Sequence, residues 1–300
     1  MPELLACPDC GGPLKNEGAQ LRCGCAAWPV VADIPLLVPW ARNRRFALEE
    51  VLARFLPPPT GLAGKLLRRI LPGTGALGDA VADRDATFLD LAAALGRTAD
   101  LDYFRYRFSD LAYISSASLL TPLSRGPILD LGCGAGHLTE AVFRRVPKSL
   151  VVGLDHNFTL LYLARRFVAP SALYVCADGS ARLPFRDGAF EAAVSSDAFK
   201  YLPDRAGAAR ELLRVTRGPL LISHLGHPSV REPGTPEPLA PAAYLDFFAP
   251  RAPRLYCEAE LLETFLKTRS LDLSHPTTAS DDVLSLAAGV DPAVLPGADF

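Results

Sequence analysis

The sequence of 300 residues lacks any long hydrophobic run, and this absence excludes a membrane-spanning helix. No apolar stretch reaches the roughly 18 residues that such a helix needs. The best candidate, near residues 30–38, is interrupted by Asp33 and Pro35. The first residues, MPELLACPDC, also lack the basic segment followed by an apolar segment that marks a secretory signal. We therefore expect a cytoplasmic protein without a membrane span.

The chain also has little net charge, which limits the partners that composition alone suggests. Its formal net charge is −2, so nothing indicates a general affinity for nucleic acid. Apolar residues make up 49% of the chain, enough for a sizeable hydrophobic core. A chain of this length favours one large domain with an additional small module.

One glycine-rich stretch, residues 128–141 (ILDLGCGAGHLTEA), organises the rest of the chain. A short apolar run meets glycines at alternate positions, Gly132, Gly134 and Gly136, and an amphipathic segment follows at once. This pattern predicts a buried parallel strand, a tight turn and the start of a helix. Backbone N–H groups at such a helix start are free to face a ligand, so we predict a nucleotide-type binding loop.

The spacing of the glycines argues against a dinucleotide. A dinucleotide-binding turn has the pattern G-x-G-x-x-G, and the third glycine would fall at His137. The sequence instead reads G-x-G-x-G, with Asp130 two positions before the first glycine. Two further apolar runs end in carboxylates, since residues 150–154 precede Asp155 and residues 172–176 lead to Asp178.

Together with residues 181–204 (ARLPFRDGAFEAAVSSDAFKYLPD), these motifs resemble the class I S-adenosylmethionine-dependent methyltransferases. Within that class, the domain is similar to the ubiquinone and menaquinone methyltransferases. The resemblance covers about residues 100–290, and its specific motifs lie within 128–200. It implies an α/β fold with a doubly wound, mostly parallel sheet of seven strands, and S-adenosyl-L-methionine as the cofactor.

The resemblance also assigns roles to the loop and the carboxylates. It implies that the glycine loop holds the methionine end of the cofactor and that Asp178 meets the adenine amino group. A carboxylate such as Asp155 at the tip of the second strand can accept hydrogen bonds from both ribose hydroxyls. The predicted cofactor-binding residues are Asp130, Gly132, Cys133, Gly134, Gly136, Asp155, His156, Asp178, Gly179 and Ser195.

The apolar runs and the segments between them predict the order of elements. Strands alternating with helices of this length indicate a parallel, doubly wound sheet. The predicted strands are 127–131, 150–154, 172–176, 192–195 and 219–223, with helices at 137–146, 158–168 and 205–216. By resemblance to the family, residues 258–267 form the last helix. Residues 271–274 and 283–287 then form a closing antiparallel pair.

Four of the seven cysteines lie within the first 25 residues and predict a metal site. Thiolates from two tight turns can enclose a tetrahedral zinc ion, so the ligand set is Cys7, Cys10, Cys23 and Cys25. The stretch resembles the small zinc-ribbon modules that are joined to some methyltransferases. Its second pair is C-x-C where the family has C-x-x-C, so a degenerate, metal-free ribbon remains the alternative to a structural zinc site.

The motifs divide the chain into three predicted parts. Residues 1–40 form the zinc-ribbon-like module, 41–99 a helical linker or cap, and 100–300 the methyltransferase domain. We predict that an insertion, residues 225–254, lies on the side of the domain where the methyl acceptor binds. In related methyltransferases the helices before the first strand cover the cofactor, so the candidates for a lid are Tyr103, Tyr106, Arg107 and Tyr113.

The predicted function is methyl transfer to an unidentified acceptor, and a small molecule is favoured over RNA. The order of ribbon and transferase resembles the ribosomal RNA guanine methyltransferases, so RNA base methylation is one alternative. A non-catalytic binding or scaffolding protein is another, and the ribbon is a candidate for protein docking. No catalytic residue is identified by a diagnostic motif. Candidates for a general base near the strand tips are His224, His227 and Asp197.

Overall fold

The computed structural model of the protein describes residues 3–39, 85–226, 235–277 and 282–296. Residues 41–84, which are most of the predicted helical linker, lie outside the described residues, and so do Trp40 and His227. No helix of the described segments has the length and apolar character needed to cross a membrane.

The N-terminal segment forms a small antiparallel sheet of four strands. Its order follows the chain, so each strand pairs with the next. The strands are β1 (Lys15–Asn16), β2 (Gln20–Arg22), β3 (Ala27–Val31) and β4 (Ile34–Pro35).

The rest of the described chain contains nine further strands and eight α-helices. The strands are β5 (Ile128–Leu131), β6 (Val151–Asp155), β7 (Leu173–Cys176), β8 (Ala192–Ser196), β9 (Leu220–Ser223), β10 (Arg254–Cys257), β11 (Ser270–Asp272), β12 (Leu284–Ala288) and β13 (Val294–Pro296). The helices are α1 (Phe88–Ala94), α2 (Leu101–Tyr106), α3 (Leu111–Ser118), α4 (His137–Arg145), α5 (Phe158–Leu163), α6 (Arg205–Val215), α7 (Pro241–Phe247) and α8 (Glu258–Thr268).

The main sheet has seven strands in the order β10-β12-β9-β8-β5-β6-β7, which confirms the predicted fold class. The strands β5 to β9 are parallel, and β12 runs antiparallel to both of its neighbours. The central strands are buried along their whole length, as expected for a sheet covered by helices on both faces. The chain winds outward in opposite directions from β5 and β8, so a ligand crevice is expected at their carboxyl ends.

The predicted closing pair of the sheet is only half correct. Residues 284–288 do form the antiparallel strand β12, but its partners are β9 and β10. Leu271 lies in β11, which pairs with β13 in a separate two-stranded sheet. Arg254 was predicted to end the insertion, but it begins strand β10 on the edge of the main sheet.

The N-terminal sheet docks onto the β7 edge of the main sheet through backbone hydrogen bonds. The Leu37 N–H donates to the Cys176 carbonyl at 2.8 Å, and Leu36 forms a parallel bridge to the same residue. On the other side, the Ala6 N–H donates to the Pro184 carbonyl at 2.9 Å. The segment between Cys176 and Pro184 is therefore held at both ends by the N-terminal sheet.

Side chains of the N-terminal sheet share a hydrophobic core with the larger sheet. Leu5, Trp28 and Leu37 are fully buried in one cluster with Leu131 and Phe185. The two parts therefore fold around common apolar surface. By covering β7, the N-terminal segment also protects an edge that would otherwise expose unpaired backbone groups.

Candidate functional site

A cavity of about 410 Å³ opens at the carboxyl ends of the central strands, and we call it the crevice. Its walls come from the loops after β5, β6, β7 and β8 and from the helices before β5. Eight of the ten predicted cofactor-binding residues line it: Asp130, Gly132, Cys133, Gly134, Asp155, His156, Asp178 and Gly179. The structure thus brings three separate sequence motifs to one place.

The glycine loop has backbone conformations that side chains rarely adopt. Gly132, Gly134 and Gly136 have φ angles of 73°, 52° and 83°. A Cβ atom on Gly132 would lie 2.3 Å from the Cβ of Ala198, so the loop after β8 packs directly on this glycine. Gly134 faces the crevice, and the nearest atom to its Cβ position is 4.0 Å away. The loop therefore exposes bare main chain to a ligand.

We expect Gly132→Ala to lower the free energy of unfolding by about 3 kcal/mol, because backbone strain adds to overpacking. Gly18→Ala is the matched control, since Gly18 has a φ of 80° but no atom within 4 Å of its Cβ position. The control should lose about 1 kcal/mol from strain alone. Urea unfolding of both variants measures the difference, and equal losses would show that contact with Ala198 is unimportant.

Two carboxylates stand at adjacent strand tips in the crevice. The Asp155 side chain follows β6 and accepts hydrogen bonds from the backbone N–H groups of Gly134 and Asn157, at 2.9 and 2.7 Å. Each carboxylate oxygen can accept a second bond, so Asp155 keeps capacity towards the crevice. Asp178 follows β7, is almost fully buried and accepts a bond from the Ser180 N–H at 2.9 Å.

Asp130 forms the floor of the crevice within strand β5. Burial raises the pKa of its carboxyl to about 7, the hydrogen bond from the Thr139 hydroxyl opposes this shift, and the nearby Asp155 adds to it. Thr139 lies on helix α4, and its hydroxyl is 2.6 Å from the Asp130 carboxylate. The bond ties the end of β5 to the start of α4 and so supports the geometry of the glycine loop.

Two of the predicted cofactor residues, Gly136 and Ser195, do not line the crevice in the part of the chain that the structure describes. Gly136 caps the N-terminus of α4, and its missing Cβ allows Ala164 to approach, since an added Cβ would lie 2.8 Å from that side chain. The Ser195 hydroxyl is buried and donates to the Leu131 carbonyl at 2.8 Å. Both residues support the walls of the crevice from behind, and Ser196 lies on the wall itself.

Helix α2 and the turn after it form an aromatic wall on one side of the crevice. Of the four lid candidates, Tyr103 and Arg107 line the crevice. Tyr106 is 59% exposed, and Tyr113 packs against Phe108. Arg107 is only 6% exposed, and its guanidinium lies 5.3 Å from the ring centre of Tyr103.

His137 is also part of this wall, although no sequence motif marked it as a site residue. Its ring lies 4.9 Å from that of Phe108 and stacks near Phe104. Burial, together with the positive charge of Arg107, lowers the pKa of His137 to about 4. The imidazole is therefore neutral at physiological pH. Its only visible signal in the sequence was its position at the start of the helix after the glycine loop.

A second polar group, the His224 cluster, consists of Asp197, Lys200, His224 and Glu258. The Nδ1 atom of His224 lies 3.3 Å from a Glu258 carboxylate oxygen, and its Nε2 lies 3.8 Å from Asp197. Lys200 is buried, and its ammonium lies 2.9 Å from Asp197. The structure therefore brings together two of the three predicted base candidates and adds Glu258, which sequence analysis missed.

The four N-terminal cysteines converge as predicted. All four sulfur atoms lie within 4.8 Å of one another. The Cys7–Cys25, Cys10–Cys23 and Cys23–Cys25 sulfur distances are 3.6, 4.0 and 3.2 Å. Zinc–sulfur bonds of about 2.3 Å in a tetrahedron place sulfur atoms about 3.8 Å apart, so this arrangement fits a four-thiolate site. The C-x-C pair does not prevent convergence.

Comparison with known proteins agrees with the fold and the crevice. The family described as "Methyltransferase domain" matches residues 129–219, which include the glycine loop and both crevice carboxylates. Residues 129–219 of the chain therefore match a methyltransferase domain. The sheet order, with one antiparallel strand inserted beside β9, and the G-x-G-x-G loop agree with that match.

Named relatives resemble the methyltransferase domain over part of their length. The chain is 40% identical over 91 residues to demethylmenaquinone methyltransferase of Thermus thermophilus, covering 29% of this chain and 41% of the relative. It is 36% identical over 110 residues to malonyl-[acyl-carrier protein] O-methyltransferase of Halorhodospira halophila, covering 35% and 37%. It is 34% identical over 152 residues to trans-aconitate 2-methyltransferase of Azoarcus sp., covering 43% and 57%. The chain thus spans about half or less of the length of these relatives.

Solved structures overlap with the methyltransferase domain at low sequence identity. One is an amino pentose methyltransferase from Micromonospora echinaspora, solved with S-adenosylmethionine bound. It is 14% identical, with a TM-score of 0.44 over 64% of this chain and 97% of its own.

Proposed function

We propose that the protein transfers a methyl group from S-adenosylmethionine to a small molecule. The observation that carries this proposal is the joint placement of the glycine loop, Asp155 and Asp178 around one crevice. The residues present fit the cofactor, because Gly134 offers bare main chain and Asp155 offers a carboxylate with capacity for ribose hydroxyls. When bound, S-adenosylmethionine supplies a reactive methyl group on a positively charged sulfur.

The residues of this chain bind and orient rather than form a covalent bond to the methyl group. In this proposal Asp155 fixes the ribose, and Asp178 with Gly179 borders the adenine. The glycine loop then sets the position of the methionine end. Holding donor and acceptor at attack distance supplies much of the acceleration in a displacement of this kind. Tyr103 and Arg107 of the aromatic wall line the same space.

The proposed acceptor is a small molecule rather than RNA. The relatives named above act, by their names, on demethylmenaquinone, malonyl-[acyl-carrier protein] and trans-aconitate. The balanced net charge of −2 also offers little general attraction for a polyanion. RNA methylation is the outcome that a test with RNA fragments would reveal.

We further propose that the four cysteines bind a structural zinc ion. So small a sheet, with strands of two to five residues, cannot supply a large core of its own. Metal binding adds folding free energy in such modules. The site is closed by four protein ligands, which is typical of structural zinc. Its position next to the Cys176–Pro184 segment makes it part of the support of the crevice.

Calorimetry with S-adenosylhomocysteine and with NAD tests the proposed cofactor. We expect binding of S-adenosylhomocysteine in the micromolar range and no measurable binding of NAD, since the glycine spacing does not suit a pyrophosphate. Binding of NAD alone would indicate an oxidoreductase. Binding of neither compound would favour a scaffolding protein that retains only the fold.

A further inference from the structure

We propose that His224 is the general base of the methyl transfer, that Glu258 positions it, and that the acceptor therefore carries a hydroxyl group rather than an ionised carboxylate. This inference rests on the proposed function, because it concerns the acceptor side of the same crevice. It is carried by the arrangement of the His224 cluster at the tips of β8 and β9.

Glu258 is built to hold the imidazole of His224. It starts helix α8, and its side chain is 8% exposed. One carboxylate oxygen accepts hydrogen bonds from the His224 backbone N–H and, at 2.7 Å, from the Ser285 hydroxyl. The other oxygen faces the His224 Nδ1 atom at 3.3 Å. These contacts fix the Glu258 side chain beside the imidazole ring.

The contact with Glu258 determines which imidazole nitrogen is available. A carboxylate accepts hydrogen bonds only, so it favours the tautomer with the proton on Nδ1. The Nε2 atom then carries the lone pair. Its neighbour Asp197 is 3.8 Å away, which is too far for a hydrogen bond, so Nε2 is not tied to that carboxylate.

Strained backbone places His224 and Asp197 at adjacent strand tips. Ser196 and Ser223 are paired in the register of β8 and β9, so Asp197 and His224 are the next residues on both strands. Their φ angles are 52° and 57°, in the left-handed region that residues with side chains seldom adopt. Such strain costs about 1–3 kcal/mol per residue and clusters at functional sites. Here it turns both side chains towards each other.

The cluster adjoins the crevice through Asp197. Ser196 and Asp197 line the crevice, and His224 lies beyond Asp197 with 23% of its side chain exposed. The charged groups that face the imidazole are Glu258 from α8 and Asp197 with Lys200 from the segment after β8. The hydrogen bond to Glu258 raises the pKa of His224 above its ordinary value, burial opposes this shift, and the charges of Glu258 and Asp197 add to it.

The proton and electrons of the transfer balance with His224 as the base. The Nε2 atom takes the proton of the acceptor hydroxyl, and the oxygen lone pair forms the new bond to the methyl carbon. The bond between that carbon and sulfur breaks, and its electron pair stays on sulfur. The imidazolium later releases its proton to solvent. An alcohol or phenol is protonated at neutral pH and needs such a base, whereas a carboxylate is already ionised.

The first test follows His224 itself by nitrogen-15 NMR of the full-length protein labelled at its five histidines. Comparison with His224→Asn identifies the signal. We expect an Nδ1-protonated tautomer and a pKa above the ordinary value of about 6.5, and we expect Glu258→Gln to lower that pKa. An Nε2-protonated ring, or a pKa that Glu258→Gln leaves unchanged, would overturn the positioning role.

The second test measures transfer of a tritiated methyl group to catechol and 1,4-naphthohydroquinone, with trans-aconitate as the carboxylate acceptor. We expect transfer to at least one hydroxyl acceptor, and His224→Asn should lower kcat/KM by about 10²–10⁴-fold. Glu258→Gln should move the acid limb of the pH profile to lower pH, because His224 must be neutral to act and would then lose its proton more easily. His275 is exposed, so His275→Asn is the control. It should leave methyl transfer, kcat/KM and the position of the acid limb unchanged.

Calorimetry separates the failure of this inference from the failure of the proposed function. S-adenosylhomocysteine should bind His224→Asn within twofold of the unchanged protein. If it binds but no hydroxyl acceptor is methylated, or only trans-aconitate is, the inferred acceptor class is wrong. A loss below threefold in His224→Asn would remove its role as base. If the unchanged protein does not bind S-adenosylhomocysteine, the proposed function itself fails.

Discussion

Asp155→Ala is expected to weaken binding of S-adenosylhomocysteine by about 100-fold or more. In the proposed complex the carboxylate accepts both ribose hydroxyls, and hydrogen bonds to a charged group contribute about 1.5–3 kcal/mol each. The same side chain also holds the Gly134 and Asn157 N–H groups, so its loss loosens the glycine loop. Calorimetry at constant ionic strength measures the change in Kd.

Asp187→Ala is the matched control for this variant. Its carboxylate pairs with Arg214 at 2.8 Å but is 79% exposed, so it lies on the surface. We expect its Kd to stay within twofold of the unchanged protein. A far-ultraviolet circular dichroism spectrum should show that both variants are folded. If Asp155→Ala binds as well as Asp187→Ala, Asp155 does not hold the ribose.

Cys7→Ser is expected to release zinc and to lower the Tm by about 10 °C or more. Cys7 is fully buried, and its backbone forms hydrogen bonds with Gly11 and Gly12 in the first cysteine turn. Loss of a structural metal is among the changes that cost several kcal/mol, and 1 kcal/mol corresponds to about 2–4 °C in a domain of comparable size. The effect should reach the methyltransferase domain, because the two parts share one core.

Zinc content by mass spectrometry and thermal unfolding together test this prediction. The control is Cys257→Ser, since Cys257 is a buried thiol remote in sequence from the cluster. It should keep one equivalent of zinc per chain, whereas Cys7→Ser should keep none. A protein purified under reducing conditions that contains no zinc, with equal Tm values for both variants, would favour the metal-free ribbon.

The local motifs of the methyltransferase domain could be predicted from the sequence with good accuracy. The glycine loop, for example, needs residues without a Cβ, so Gly132 and Gly134 in the sequence indicate the loop directly. Predicted strands 127–131 and 150–154 lie within one residue of β5 and β6. The meeting of the carboxylates could also be predicted, because parallel strands end at one edge of the sheet and the residues after them come together there.

Contacts between distant segments were harder to predict. Strand β10 is four residues long, follows a proline and lies on the edge of the sheet, so its sequence resembles a loop. Glu258 looked like an ordinary acidic residue at a helix start, where such residues are common. Its contact with His224 spans 34 residues and depends on how the start of α8 meets the residue that follows β9. No local pattern contains that information.

The docking of the N-terminal sheet is a third example. The cysteine pattern predicts a small metal-binding module, but it does not show where the module sits. Leu36 pairs with Cys176, a residue at the end of β7 that is distant from it in the sequence. The pairing depends on the open edge of β7, which only the sheet order reveals.

A crystal structure of the protein with S-adenosylhomocysteine tests the central claim most directly. We predict the ligand in the crevice, with both ribose hydroxyls on the Asp155 carboxylate, the adenine beside Asp178 and the methionine end along Gly132 and Gly134. A ligand bound elsewhere, or bound in the crevice with Asp155 and Asp178 turned away from ribose and adenine, would contradict it.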